Sequence, residues 1–81
     1  MTTDEHLNDN HPMNTAERSA MVTRLLDLIE RTNVAIDRHT NQDKPDQLAI
    51  RQYKELRDEY IREFADVVQP IGLVVQARAV Y

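Results

Sequence analysis

Cysteine is absent from this 81-residue chain, glycine occurs once and proline three times. Without cysteine there is no disulfide and no thiolate metal site. With so few breakers, long segments run uninterrupted, and the frequent turns that an all-β fold requires are missing. A concentrated charge of one sign is lacking too. The net charge of −4 divides into −3 over residues 1–14, zero over 15–40, −1 over 41–47, −1 over 48–69 and +1 over 70–81. No segment is a basic patch, so nucleic-acid binding through neutralised phosphates is disfavoured. No apolar run approaches the roughly 20 residues that span a bilayer, so no membrane partner is expected. Neither a basic n-region nor an apolar h-region opens the chain, and the expected location is cytoplasmic.

What is present is a matched pair of amphipathic segments. Residues 1–13 are polar, acidic and without period, and read as a disordered acidic arm. Asn14 then looks like an N-cap, with Glu17 placed to complete a capping box. Val22, Leu25, Ile29, Thr32, Ile36 and His39 follow at alternating spacings of three and four. That is one face of a helix over residues 14–40 and close to a heptad seam. Arg38 and His39 fall in its last turn, where positive charge complements the helix dipole. The polar stretch 41–46 contains turn and cap residues. Asp43 or Asp46 suits the cap of a second helix, and Pro45 is tolerated in a first turn. Over residues 47–69, Ala49, Tyr53, Leu56, Tyr60, Phe64 and Val67 stay within one stripe. Lys54–Asp58, Asp58–Arg62 and Arg62–Asp66 are opposite charges four apart, each contributing about 0.2–0.5 kcal/mol.

The expected fold is therefore all-α, an antiparallel helical hairpin whose arms are each roughly 35–39 Å long at about 1.5 Å per residue. Folding about Asp43 sets Ile36 beside Ile50, Ile29 near Leu56 or Arg57, Leu25 near Tyr60 or Ile61, and Val22 near Phe64. Each pairing joins an apolar residue to another or to an aliphatic stem. The apolar C-terminal segment 70–81 is ambiguous. Its valines suit a strand, whereas Val67, Val68, Ile71, Val74 and Val75 also continue a helical stripe. A kink at Pro70 with a short helix after it is the expectation.

The chemistry-bearing residues are few. His6 and His11 lie in the acidic arm without helical or finger spacing, a weak adventitious metal site at most. Arg57 and Arg62 with Glu55, Glu59 and Glu63 read as solubilising pairs on an exposed face. Tyr53 and Tyr60, seven apart, are stripe-edge residues or an aromatic contact surface. Thr32 interrupts the first stripe, either fixing register or lying at a solvated edge. There is no Gly-rich phosphate loop and no nucleophile motif, so an enzyme is not expected and no cofactor is implied. A di-metal bundle would need Glu-x-x-His on an inward face, and none occurs.

A lone hairpin has too little interior for both stripes. The chain is expected to self-associate, favouring a homodimeric four-helix bundle with a structural or adaptor role. Leu25, Ile29, Ile36, Tyr53, Leu56, Tyr60 and Phe64 would form its core, with Val67, Val68, Ile71, Val74 and Val75 extending the interface. The alternative is a regulatory binding protein, an antitoxin-like factor or subunit clamp, with a different chain as partner.

Overall fold

A computed structural model of the protein describes residues 12–76. Helix α1 spans Thr15–Thr40 and helix α2 spans Gln47–Val68, with a single 3-10 turn at Gln69–Ile71. The described residues contain no strand. The two helices pack antiparallel as the expected hairpin. His6, His11 and nearly all of the acidic arm lie outside the described residues; Pro12 and Met13 carry no regular structure.

Local sequence explains where each helix starts. The Asn14 side chain accepts from the Glu17 amide at 2.8 Å, and the Glu17 carboxylate accepts from the Asn14 amide at 3.0 Å. This reciprocal pair satisfies two donors that a helix start would leave open. At α2 the cap is Asp46, whose carboxylate accepts from the Ala49 amide at 3.0 Å. Asp43 is exposed in the connection. Pro45 precedes the cap, so the first-turn placement expected for it is corrected. There its fixed φ shapes the entry to the helix without removing a helical donor. At the end of α1 the Thr40 hydroxyl donates to the Ile36 carbonyl at 2.7 Å, and the Asn41 amide donates to Asp37 at 3.0 Å.

The C-terminal expectation needs a larger correction. No short helix follows Pro70 among the described residues. Pro70 has no amide hydrogen to continue the α-ladder, and the chain tightens into the 3-10 turn. Gly72 then adopts φ +88°, the left-handed conformation that closes helices. Its amide donates to Gln69 at 2.9 Å, and the Leu73 amide donates to Val68 at 3.3 Å. These two bonds satisfy terminal carbonyls and reverse the chain direction. Residues 73–76 form neither helix nor strand.

The core is a narrow strip. Leu25, Ile36, Ile50 and Val68 are buried, joined by Thr32, while Leu25 and Ile36 are 1% and 0% exposed. On α1 the buried positions are those of the predicted stripe. On α2 the seam is turned about one residue from it. Ile50, Arg57, Ile61, Phe64 and Val68 follow one another at spacings of seven, four, three and four on the side towards α1, and Ala49 and Val67 are half-buried at its edge. Two lines of side chains meeting along one contact cannot enclose a wider core.

Replacing Ile36 by Ala should lower unfolding stability by about 2–5 kcal/mol, because the cavity has packed atoms on every side. Val34, 55% exposed on the same helix, should cost no more than about 0.5 kcal/mol as alanine. Urea unfolding followed by circular dichroism measures both; equal losses would contradict the placement of the strip.

Candidate interaction surface

Four cross-links fix how the helices face each other. At the open end, the Arg18 Nε donates to the Val67 carbonyl at 3.0 Å. One level further in, Val22 and Phe64 line the same shallow groove, meeting the pairing expected from the sequence. Near the middle, Arg57 Nη1 donates to Asn33 Oδ1 at 3.2 Å. Towards the connection, the rings of His39 and Tyr53 stack with centroids 5.5 Å apart and planes 25° apart.

In the sequence, Arg18 is one of the bases that balance the acids over residues 15–40. Its position in the first turn of α1 sets it beside the last turn of α2, whose carbonyls lack helical partners. A guanidinium there satisfies a carbonyl and complements the negative helix end. The signal was available: in an antiparallel hairpin, an early base on one helix is level with the last turn of the other.

Arg57 also departs from its reading as an exposed charge. Its side chain is 15% exposed and lies in the seam, with the head bonded to Asn33 and its Nε 3.9 Å from Asp58. The aliphatic stem fills the strip while the head reaches out of it. Asp58, expected opposite Lys54 and Arg62, thus lies beside Arg57. Glu55, Glu59, Arg62 and Glu63 are exposed. On α1, Arg31 and Asp27 pair at 3.0 Å with both side chains largely exposed.

Thr32 is buried, which removes the solvated-edge reading. Its hydroxyl donates to the Leu28 carbonyl at 2.6 Å, so the polar atom is satisfied within its own helix. His39 is half-buried at the end of α1, and its Nδ1 is shielded without a hydrogen-bond partner among the described residues.

Of the residues named for the core and interface, Leu25, Ile36 and Val68 are buried. Ile29, Tyr53, Leu56, Tyr60, Phe64, Val67 and Val75 are half-buried. Ile71 and Val74 are exposed, Val74 to 88%. The hairpin therefore gathers three of these side chains into its dry strip and leaves the others partly or fully wet. Ile50, absent from that set, is in the strip because the α2 seam is turned. Among the described residues no group of three His, Cys, Asp or Glu is arranged to hold a metal ion. No described helix is long and apolar enough to cross a membrane.

Replacing His39 by Phe should keep the ring stack and remove the shielded nitrogen, raising stability by about 1 kcal/mol. A thermal melt compares the two proteins; a fall of that size would show that the nitrogen is satisfied in solution.

Comparison of the chain with protein-family models, with curated proteins and with solved structures finds no significant match to any of them.

Proposed function

We propose that this chain is a small non-enzymatic protein that self-associates, two hairpins packing into a dimeric four-helix bundle with a structural or adaptor role in the cytoplasm. The observation that supports it is the disproportion between stripes and strip. Four apolar side chains are buried, while Leu28, Tyr53, Leu56 and Tyr60 stay half-covered. Burying a large apolar side chain contributes about 1.5–3 kcal/mol, and ordering each backbone residue costs about 1–2 kcal/mol. A second hairpin laid against the first supplies the missing half of the interior.

A distinct observation favours the alternative partner. Ile71, Leu73 and Val74 are exposed together just beyond the end of α2, where Ile71 and Leu73 line the groove at the open end of the hairpin. A different protein chain that binds this tail would make the molecule a regulatory binding protein or subunit clamp.

If self-association is correct, the melting temperature should rise with protein concentration and sedimentation should give twice the chain mass at micromolar concentration. A monomer with a concentration-independent melt would refute it. Recovery of the chain from its native host with a second protein, and not with itself, would favour the alternative.

A further inference from the structure

We infer that the second copy docks on the side of the hairpin where His39 stacks on Tyr53, with a twofold axis parallel to the helices, so that α1 of each protomer lies over α2 of the other. The inference rests on the self-association proposed above and specifies its surface and geometry.

The hairpin has two broad sides, and they differ. Helical rotation of about 100° per residue places Met21, Leu28 and Ala35 on one flank of the α1 seam. It places Tyr53, Leu56 and Tyr60 on the flank of the α2 seam that lies on the same side of the hairpin. The ring stack between His39, four residues after Ala35, and Tyr53 joins the two flanks. All these side chains are half-buried, so they form an apolar surface that is partly dry already. The other side holds Val22, Ile29 and Ile61, but its middle is crossed by the hydrogen bond between Arg57 and Asn33. Covering that side would strip the remaining water from a charge, which is unfavourable. The side with the tyrosines carries no such penalty.

The rims of the chosen side decide the orientation. Three residues beyond Met21, Leu28 and Ala35 stand Arg24, Arg31 and Arg38, all exposed. Three residues beyond Tyr60 stands Glu63, also exposed. The α1 rim is thus mainly basic, with Asp27 paired to Arg31 at its outer edge, and the α2 rim is acidic at Glu63. A twofold axis running across the helices would set α1 over α1 and bring the two arginine rows together. An axis along the helices sets each arginine row against the α2 edge that carries Glu63.

The heights agree as well. Such an axis leaves every residue at its own level along the bundle. Within one hairpin, Val22 is level with Phe64 and Asn33 with Arg57. The same register sets Arg24 opposite Glu63 of the partner subunit. Opposite charges at an interface rim fix orientation more than they add affinity.

The test is sedimentation velocity of the full chain over a range of concentrations, for the wild type, Arg24→Glu, Glu63→Arg and the double variant. Both positions are exposed, and circular dichroism at matched concentration checks that the helices are retained. Each single reversal should raise the dimer Kd by roughly threefold to tenfold, and the double variant should return it to within about twofold of wild type. Tighter association of Arg24→Glu would reveal the crossed arrangement of arginine rows and overturn the inference. Additive losses in the double variant of a dimeric wild type would overturn it too. A monomeric wild type would instead refute self-association itself, and the geometry with it.

Discussion

Two helices laid side by side touch along a line. Side chains on that line are enclosed from both helices, and those one position to either side have one wet flank. Leu25, Thr32 and Ile36 on α1, with Ile50 and Val68 on α2, are on the line. The other apolar side chains of the described helices sit beside it or, like Leu26, Val34 and Leu48, on the exposed outer faces. This geometric limit does not depend on how hydrophobic the stripes are, because widening a stripe adds residues to the flanks and none to the line. The small dry strip, the half-covered tyrosines and the unfilled groove at the open end all follow from it.

With so little interior, the hairpin depends on well-defined ends. Each helix start is closed by a side chain from the residue just before it, Asn14 or Asp46. The end of α1 is closed by Thr40 and Asn41. The end of α2 is closed by the turn at Gly72 and by Arg18 from the opposite helix. Such caps contribute about 1 kcal/mol each, comparable to the loss or gain of one partly buried side chain. With four buried apolar residues among those described, they carry a large share of the specification.

The all-helical hairpin was legible in the sequence because two independent signals agreed. Three-and-four spacing marked both helices, and the folded-back pairing set Val22 against Phe64, where they are found. The capping box at Asn14 was legible for the same reason: it is local. The turned α2 seam was not, because Ala49 and Ile50 are both apolar, as are Val67 and Val68. A stripe with apolar residues on adjacent positions leaves its facing direction open by about 100°. Arg57 was left open by the same ambiguity, read both as an aliphatic stem opposite Ile29 and as an exposed charge, since an arginine in a seam shows its apolar stem only after the register is known. Over residues 72–76 the expected helix does not form, although the valines there satisfy a helical period; residues 77–81 lie outside the described residues. The decisive residue was the lone glycine, since a left-handed position two residues after Pro70 ends a helix whatever the pattern beyond it.

The bond from Arg18 to Val67 has a consequence for how the molecule opens. Helix termini ordinarily unravel one at a time, each at almost no cost. Here the first turn of α1 holds a carbonyl in the last turn of α2. Peeling back either terminus releases its neighbour, so the two ends farthest from the connection loosen in concert. The backbone amides of those two turns are thereby coupled in their opening.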